Sequence, residues 1–356
     1  MESIKIELAS NLKEKTKDES SLKFGKSFTD HMFAMNYTSE KGWHNPRVMP
    51  YSPIEMDPAS TCLHYGQLIF EGLKAYRTND GKIVMFRPEK NMERLNLSAE
   101  RLCIPAVDVD FMVDAIAELV RVEKDWIPTS EGTSLYIRPF VLSTDAFLGV
   151  HPSDSYLLLV ILSPVGPYYS GGLAPVKIYV EDTYVRAVKG GTGFAKTAGN
   201  YASSLRSQIE AEKKGYNQVL WLDGAEHKYI EEVGAMNVFF VIGDEVITPE
   251  LNGSILGGIT RDSIITLLRD QGYKVSERRI AVDELVEAYK KGTFKEAFGS
   301  GTAAVVSPIG ELNVGGFKME LSGGAIGEIS QKLYDEITGI QRCELEDKFG
   351  WVYEVK

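Results

Sequence analysis

The stretch GGTGFAKTAGNY, residues 190–201, surrounds one lysine, Lys196, with small residues. Glycines at this density mark a place where the backbone or a ligand must approach closely. A lysine in such a place can form a Schiff base when the site desolvates it and lowers its pKa. A solvated loop lysine is compatible with the same pattern, and the stretch lacks the complete GxxxxGK[ST] pattern of a P-loop. By itself, the stretch leaves both interpretations open.

Two adjacent carboxylates, Glu231 and Glu232, come directly before the apolar run of YIEEVGAMNVFFV, residues 229–241. Side chains alternate along a strand, so only one of the two is expected to point inward. An inward acid at this place suits pyridoxal phosphate (PLP), a cofactor whose pyridine nitrogen needs an acidic partner. A pair of surface acids at a strand end is the alternative.

Two glycine-rich turns follow. In SILGGITRDSIITLL, residues 254–268, Gly257 and Gly258 precede Thr260 at a predicted helix start, where free amides and the helix dipole favour a phosphate. An ordinary N-cap by Thr260 is compatible with the same pattern. In FGSGTAAVVSPIG, residues 298–310, the glycines loosely match a dinucleotide fingerprint, but no helix is expected after them. A tight turn that presents amides to a carboxylate fits better.

Composition and charge exclude several classes of protein. The chain has 356 residues, 44% hydrophobic and 25% charged, which favours two domains with sizeable cores. A net charge of −11 argues against nucleic acid and anionic membranes as partners. The three cysteines form no CxxC pair and the five histidines no HExxH motif, so no metal is expected. A polar start without an apolar signal segment, and the lack of a long apolar run, predict a cytoplasmic protein.

Hydrophobic periodicity predicts two mixed α/β domains. The segment 164–174 is rich in Pro, Gly and Tyr and breaks every periodic pattern, so it is interpreted as the inter-domain loop. It separates a small N-terminal domain, 1–163, from a large C-terminal domain, 175–356. Residues 1–20 are expected to form a solvated lead-in.

Several individual elements follow from local patterns. The turn at 79–81 is predicted to close a β-hairpin. Helical spacing predicts a helix within 108–126 whose buried face carries Met112, Ile116, Leu119 and Val120. The segment 201–214 is predicted to be one amphipathic helix with three apolar residues on one side: Ala202, Leu205 and Ile209. Strands and helices alternate through the second half.

Eight blocks of the sequence, in order, resemble blocks of the branched-chain amino-acid aminotransferases, which are fold type IV PLP enzymes. The blocks are FTDHM, LHYGQLIFEGLKAYR, FRPEKNMERL, GTSLYIRPF, KTAGNYASSL, EEVGAMNVFF, LGGITRDSI and FGSGTAAVVSPIG. The likeness runs from about Phe24 to the C-terminus. It implies the mixed α/β fold of that class, a PLP cofactor, a homodimer, and ping-pong transamination of leucine, isoleucine and valine with 2-oxoglutarate.

The resemblance also implies a role for each residue that matches a family block. Lys196 would hold PLP as a Schiff base and carry a proton during the reaction, while Glu232 would bond the pyridine nitrogen. The phosphate would be held by a set drawn from several blocks: Arg94, Gly258, Ile259, Thr260 and Thr302. The other contacts implied for the cofactor are Tyr201 beside the ring hydroxyl and, as supporting residues, Asn237 and Arg186.

For the substrate, the family pattern implies an aromatic wall with one arginine and two main-chain amides. The residues are Phe24, Tyr65, Phe70, Tyr136, Arg138 and Tyr168, with the amides of Thr302 and Ala303. Aromatic walls suit branched apolar side chains, and an arginine can accept the second carboxylate of glutamate. The loop that carries Tyr168 would be the gate. Simple core packing is the alternative for each aromatic residue.

The chain departs from the family pattern in two places. Ala304 and Ser307 stand where mammalian members carry a CxxC pair, so redox switching at that pair is not expected. Ala235 replaces a threonine of other members and is not counted as a site residue. The rivals are a D-amino-acid aminotransferase, an aminodeoxychorismate lyase and a catalytically silent binding protein of the same fold. The FTDHM and LHYGQLIFEGLKAYR blocks favour the branched-chain members.

Overall fold

A computed structural model describes residues 2–167 and 173–356 of the chain. These residues form two compact units. The first contains the described residues before 168 together with Ala195–Ala198 and Gly339–Lys356. The second contains the residues from 173 to Phe194 together with Gly199–Thr338. Neither unit is therefore one continuous segment of the sequence. The two domains predicted from the sequence, 1–163 and 175–356, are each continuous. The loop at 164–174 lies partly outside the described residues.

The first unit is built on a nine-stranded sheet, counted in the described residues. Its strands are β1 (Lys5–Ile6), β2 (His31–Thr38), β3 (Gly42–Pro50), β4 (Leu68–Phe70), β5 (Leu73–Arg77), β6 (Ile83–Phe86), β7 (Ser134–Ser143), β8 (Ser155–Val165) and, from the end of the chain, β18 (Val352–Glu354). Their order is β1-β3-β2-β8-β7-β5-β6-β18, with β4 beside β7. The β1–β3 pair is parallel, whereas β2, β7 and β8 form a long antiparallel centre.

Turn chemistry fixes the hairpin of β5 and β6. Gly81 has a φ of 84°, a left-handed conformation that glycine adopts without a steric penalty. Its N–H donates to the carbonyl of Thr78 at 2.9 Å, and Ala75 lies opposite Met85 in the antiparallel register. The predicted hairpin is confirmed.

The helices of the first unit are α1 (Thr61–Tyr65), α2 (Pro88–Arg101) and α3 (Val109–Val122). Asp108 caps α3 by accepting a hydrogen bond from the N–H of Phe111 at 2.9 Å. One face of α3 is buried in the core of the unit, as predicted, with Met112, Ile116, Leu119 and Val120 all fully buried. On β5, Leu73 and Ala75 belong to the same core. Their strand neighbours therefore project from the opposite face of the sheet.

The second unit carries another nine-stranded sheet within the described residues, in the order β11-β10-β9-β16-β15-β12-β13-β14 with β17 beside β16. Its strands are β9 (Val176–Glu181), β10 (Gln218–Leu222), β11 (Ile230–Val233), β12 (Asn237–Ile242), β13 (Glu245–Thr248), β14 (Lys274–Glu277), β15 (Phe294–Gly301), β16 (Val305–Val314) and β17 (Phe317–Glu320). The helices of the second half are α4 (Ala198–Ala202), α5 (Leu205–Lys213), α6 (Ile259–Asp270), α7 (Val282–Lys290) and α8 (Glu328–Gln341). The predicted mixed α/β class is confirmed.

The prediction of one amphipathic helix over 201–214 is wrong. The helix is interrupted after Ala202, and α5 begins at Leu205. The apolar side that was expected to be buried is exposed, with Leu205 at 61% and Ile209 at 48% of full accessibility. Hydrophobic periodicity predicts the apolar face of a helix but does not identify the surface that packs against that face. In α5 the buried residues are Ser207 and Ala211.

No helix in the described part of the chain is long and apolar enough to cross a membrane. Within the same residues, no three His, Cys, Asp or Glu side chains are placed to hold a metal ion. The cysteines Cys62, Cys103 and Cys343 are free thiols.

Candidate active site

Lys196 lies in the segment Ala195–Ala198, which belongs to the first unit. Its N–H donates to Ser98 Oγ on α2 at 2.8 Å, and its carbonyl accepts from the N–H of Phe70 at 3.0 Å. The hydroxyl of Thr197 donates to a β4 carbonyl at 2.7 Å. Both backbone groups of the lysine are thus fastened to regular structure, which fixes the direction of its side chain.

The surroundings of the Lys196 amine lower its affinity for a proton. Burial, followed by the nearby Arg94 guanidinium, lowers the pKa of this amine to about 8 against the opposing effects of Glu71 and Tyr136. The amine also lies 4.9 Å from the centroid of the Phe70 ring. At pH 7, roughly a tenth of such amines are unprotonated, against well under a thousandth of ordinary lysines. Lys196 is therefore a nucleophile near neutral pH.

Arg94, predicted to bind phosphate, lies on the buried face of α2. Its Nε donates to Glu71 Oε1 and its Nη2 to Glu71 Oε2, both at 2.8 Å. Asn91, one turn earlier, donates to Glu71 Oε2 at 2.8 Å. Glu71 is not among the residues that the sequence patterns predict for the site. The signal was present, because an acid inside the apolar run LIFEGLKAY must find a cation if that run is buried.

Four of the residues predicted to bind substrate lie together in the first unit: Phe24, Phe70, Tyr136 and Arg138. Arg138 Nη2 donates to the Tyr136 hydroxyl at 3.1 Å, and its guanidinium carbon is 4.8 Å from the centroid of the Phe70 ring. The rings of Phe24 and Tyr136 meet edge to face with centroids 4.8 Å apart. The Arg138 Nε is buried and has no hydrogen-bond partner among the described residues. This group combines an aromatic wall with a cation that retains an unused donor.

The two remaining aromatic residues are placed differently. Tyr65 is 46% exposed, and its hydroxyl donates to the Leu148 carbonyl at 3.1 Å in a surface loop. Its ring lies beside that of His64, with centroids 6.1 Å apart. Within this chain Tyr65 is therefore part of the surface. Tyr168 lies outside the described residues.

In the second unit, Glu232 is buried and ion-paired with Arg186. The Arg186 Nη2 lies 3.2 Å from Glu232 Oε1, and the exposed fractions of the two side chains are 7% and 4%. The same nitrogen donates to the Gly193 carbonyl at 3.3 Å and, closely, to the Ser254 carbonyl. Glu232 Oε1 also accepts from the N–H of Leu256 at 2.8 Å. An ion pair and a backbone amide hold this carboxylate in one position.

The expectation that only one of the adjacent carboxylates points inward is wrong. Glu231 and Glu232 are each 3% exposed. They project from opposite sides of β11, but both sides are covered. Glu231 Oε1 accepts a close hydrogen bond from the hydroxyl of Ser254, and burial raises the pKa of its carboxyl. The alternative of two surface acids is likewise excluded.

The start of α6 is built as a cradle. Gly258 is its N-cap, and Thr260 lies inside the first turn, so Thr260 is not the N-cap. The Nδ2 of the buried Asn237 donates to the Leu256 carbonyl at 2.8 Å. A Cβ on Gly258 would lie 2.0 Å from Asn237 Oδ1, so a larger residue there would displace the Asn237 side chain. The amides of Ile259 and Thr260, with the helix dipole, make this helix start suitable for a phosphate.

The loop 190–201 confirms the close approach expected of its glycines. A Cβ on Gly193 would lie 2.0 Å from the Ser254 carbonyl oxygen. Thr192 and Asn200 bond reciprocally, with Thr192 Oγ1 donating to Asn200 Oδ1 at 2.7 Å and Asn200 Nδ2 to the Thr192 carbonyl at 2.8 Å. Tyr201 follows on α4 and is half-buried.

Thr302 and Ala303 lie in the turn between β15 and β16 and are both half-buried. The expected tight turn is confirmed, and no helix follows, which excludes the dinucleotide fingerprint. Val305, which ends the turn, has a φ of 62°. A β-branched residue rarely adopts this left-handed conformation, and such strained positions cluster at functional sites.

The sequence and the structure were compared with those of known proteins. The family model Amino-transferase class IV matches residues 68–312. The chain is 59% identical over 354 residues to branched-chain-amino-acid aminotransferase 2 of Bacillus subtilis, covering 99% of this chain and 97% of that one.

Among solved structures, the chain is similar to the branched-chain amino acid aminotransferase of Escherichia coli, with a TM-score of 0.74 at 28% identity, covering 92% of this chain and 99% of that one. It is also similar to the T.th. branched-chain amino acid aminotransferase complexed with N-(5'-phosphopyridoxyl)-L-glutamate, with a TM-score of 0.72 at 26% identity, covering 90% and 98%. The resemblance found in the sequence, and the fold type that it implied, are confirmed. The chain belongs to the branched-chain-amino-acid aminotransferases of aminotransferase class IV.

Proposed function

We propose that the chain catalyses PLP-dependent, ping-pong transamination of L-leucine, L-isoleucine and L-valine with 2-oxoglutarate. The products are the branched 2-oxo acids and L-glutamate. The observation that carries the proposal is Lys196, whose amine is desolvated, has a pKa lowered to about 8 and lies among Phe70, Arg94 and Tyr136. The related T.th. enzyme, whose structure contains a phosphopyridoxyl-glutamate compound, supports the choice of cofactor.

The residues present fit PLP. A nucleophilic lysine is available for its aldehyde, and Arg94 and the start of α6 provide positive charge and amides for its phosphate. The space at Gly258, which a Cβ would fill against Asn237 Oδ1, is the kind of clearance that a phosphate cradle needs. Glu232, a buried carboxylate ion-paired with Arg186, suits a pyridine nitrogen. When bound, PLP supplies the electron sink for the reaction.

Each residue then has a defined task. The amine of Lys196 would hold the cofactor through its aldehyde and would move the proton of the substrate carbon as a general acid–base group. The residues that hold the phosphate are Gly258, Ile259, Thr260, Arg94 and Thr302. Tyr201 would lie beside the ring hydroxyl. Asn237 and Arg186 position these groups rather than contact the reacting atoms.

The substrate side follows from the group of Phe24, Phe70, Tyr136 and Arg138. The rings offer an apolar surface for a branched side chain, which such surfaces bind without sharp discrimination among leucine, isoleucine and valine. Arg138, with its buried unpartnered Nε, is available for the second carboxylate of glutamate. The amides of Thr302 and Ala303 take the α-carboxylate, and Tyr168 belongs to the gate.

The reaction exchanges one amino group for one oxo oxygen and needs no external oxidant or reductant. A donor panel with 2-oxoglutarate as acceptor tests the proposal, with glutamate as the measured product. We expect L-leucine, L-isoleucine and L-valine to be good donors and D-alanine to be a poor one. Preference for D-alanine would replace the proposal by a D-amino-acid aminotransferase, and an absence of glutamate with every donor would overturn it.

The variant Lys196→Ala tests the role of the lysine directly. General acid–base catalysis contributes about 10²–10⁴-fold to rates, and this variant also loses the covalent attachment. We therefore expect glutamate formation to fall by at least about a thousandfold, with an unchanged circular dichroism spectrum. Substantial activity in a folded Lys196→Ala variant contradicts the assigned role.

The proposal includes a cytoplasmic homodimer. A group of large apolar side chains on the surface of the first unit supports self-association: Leu63, Tyr65, Phe147, Leu148 and Val150 are each at least 46% exposed. The hydrogen bond from Tyr65 to Leu148 and the approach of the Phe147 N–H to the Ala59 carbonyl join the two segments that carry them. Contiguous patches of this kind mark interaction surfaces. Light scattering should give twice the mass of the chain, and a monomer would refute this part of the proposal.

A further inference from the structure

Glu71 is a fully buried carboxylate for which the reaction described above has no use. It lies between β4 and β5, next to Phe70, and none of its side chain is exposed. A buried charge is costly unless it is paired and hydrogen-bonded. Its retention inside an apolar segment therefore requires a reason, and its contacts supply one.

The hydrogen bonds of the Glu71 side chain come from α2 and from its own turn. The Nε and Nη2 of Arg94 bond its two oxygens at 2.8 Å each, and Asn91 Nδ2 adds a bond of 2.8 Å to Oε2. The N–H of Gly72 donates to the same oxygen at 3.1 Å. The bidentate pair fixes the plane of the guanidinium as well as its position. Arg94 could not rotate without breaking two charge-assisted bonds.

The same carboxylate acts on Lys196 through space. Arg94 lowers the pKa of the Lys196 amine, Glu71 raises it, and Arg138 also lowers it. Arg94 and Asn91 keep Glu71 ionised, because they lower the pKa of its carboxyl against the effect of burial. Among the described residues, Arg94 and Arg138 thus lower the pKa of the amine by their charge, and Glu71 opposes them more strongly than Tyr136 does.

We propose that Glu71 is a positioning residue with two effects: it orients the Arg94 guanidinium for the cofactor phosphate, and it sets the net charge beside the Lys196 nitrogen. The proposal rests on the proposed function, since it assumes that Lys196 and Arg94 serve one cofactor. Glu71 would act on the cofactor only through Arg94 and Lys196.

Two variants separate charge from position. Glu71→Gln keeps the shape of the side chain and removes its charge, whereas Glu71→Asp keeps the charge and withdraws the oxygens by one methylene. Glu284→Gln serves as the matched control, because Glu284 also pairs bidentately with an arginine, Arg278, but is 40% exposed and lies in the other unit. All are compared with the wild-type holoenzyme.

The first readout is the visible absorption band of the bound cofactor, titrated with pH. Its midpoint reports the proton affinity of the Lys196 nitrogen. Loss of the carboxylate leaves the arginines uncompensated, so the midpoint in Glu71→Gln should fall by about one pH unit or more, a tenfold loss of proton affinity. In Glu71→Asp and Glu284→Gln the midpoint should stay at the wild-type value.

The second readout is the dissociation constant of PLP. Glu71→Asp should weaken binding by about tenfold or more, the contribution of one charge-assisted hydrogen bond. Glu284→Gln should bind as the wild type does. If Glu71→Gln does not bind PLP, Glu71→Asp still tests the proposal. A wild-type dissociation constant for PLP in Glu71→Asp would refute the positioning effect.

The outcomes distinguish this inference from the proposed function. A wild-type holoenzyme without a cofactor band, or without a borohydride-fixed adduct on Lys196, overturns the proposed function itself. A wild-type enzyme that shows both, together with a Glu71→Gln midpoint equal to the wild-type midpoint, overturns only the role of Glu71. A purely structural residue would lower stability in both variants and leave the midpoint unmoved.

Discussion

Replacing Arg186 by glutamine should strongly destabilise the fold, because it leaves Glu232 buried without its cation. The ion pair spans 3.2 Å, and the two side chains are only 7% and 4% exposed. Breaking a buried pair by removing one partner costs about 3–5 kcal/mol, since the remaining charge stays out of water. The variant also loses the bonds to the carbonyls of Gly193 and Ser254. Such a loss is a large fraction of the roughly 5–15 kcal/mol by which proteins are stable.

The assay is urea unfolding of the full chain followed by circular dichroism, with Arg278→Gln as the control. Arg278 and Glu284 pair bidentately in the second unit, at 2.5 and 3.1 Å, but their side chains are 38% and 40% exposed. Exposed pairs contribute about 0–1 kcal/mol. Geometry alone would rank the shorter, bidentate Arg278–Glu284 pair above the Arg186–Glu232 pair, so a larger loss of stability in Arg186→Gln measures the effect of burial.

A double variant completes the test. In Arg186→Gln/Glu232→Gln no charge is left unpaired, so it should be more stable than Arg186→Gln alone. The reasoning is refuted if Arg186→Gln costs no more than Arg278→Gln, or if adding Glu232→Gln destabilises the protein further.

Two more predictions concern the same unit. Burial raises the pKa of Glu231 above its ordinary value of 4.5, so the native state binds this proton more tightly than the unfolded state, and wild-type stability is lost as pH rises through that window. Glu231→Gln should therefore gain stability relative to the wild type as pH rises above the ordinary carboxyl value of 4.5, and a difference independent of pH would contradict this. Gly258→Ala should weaken PLP binding by roughly tenfold or more, because its Cβ would lie 2.0 Å from Asn237 Oδ1, which must then move. Gly257→Ala, whose Cβ meets nothing closer than Leu251 Cδ1 at 3.5 Å, should lose much less, and equal losses would show that the clearance at Gly258 is irrelevant.

Local chemistry predicted the elements whose stability is itself local. The hairpin at 79–81 followed from a glycine with positive φ, and the buried face of α3 from the 3.6-residue period. The same reasoning failed for 201–214, where the apolar residues Leu205 and Ile209 are exposed. A hydrophobic face states only that burial would be favourable, and the covering surface can come from outside the chain's own core.

The candidate site was predicted in part, and the limit has a physical cause. The lysine, the phosphate turn and one acid of the 231–232 pair are each marked by an unusual local pattern. Glu71 is not marked by such a pattern, because its function depends on α2. This helix brings Arg94 and Asn91 to Glu71 from later in the chain. Polar residues on the buried face of a helix, such as Asn91, Arg94 and Ser98, were the available signal. Tyr65 shows the converse, since a matching motif placed it at the substrate while the structure places it on the surface.

The central claim is that Lys196 carries the cofactor. The most direct measurement reduces the holoenzyme with borohydride, digests it and identifies by mass spectrometry the peptide that retains the pyridoxyl group. We expect one modified lysine, Lys196, and attachment of PLP to the cofactor-free chain that accelerates as pH rises toward about 8, where the amine loses its proton. A pyridoxyl group on a different lysine, or none at all, would contradict it.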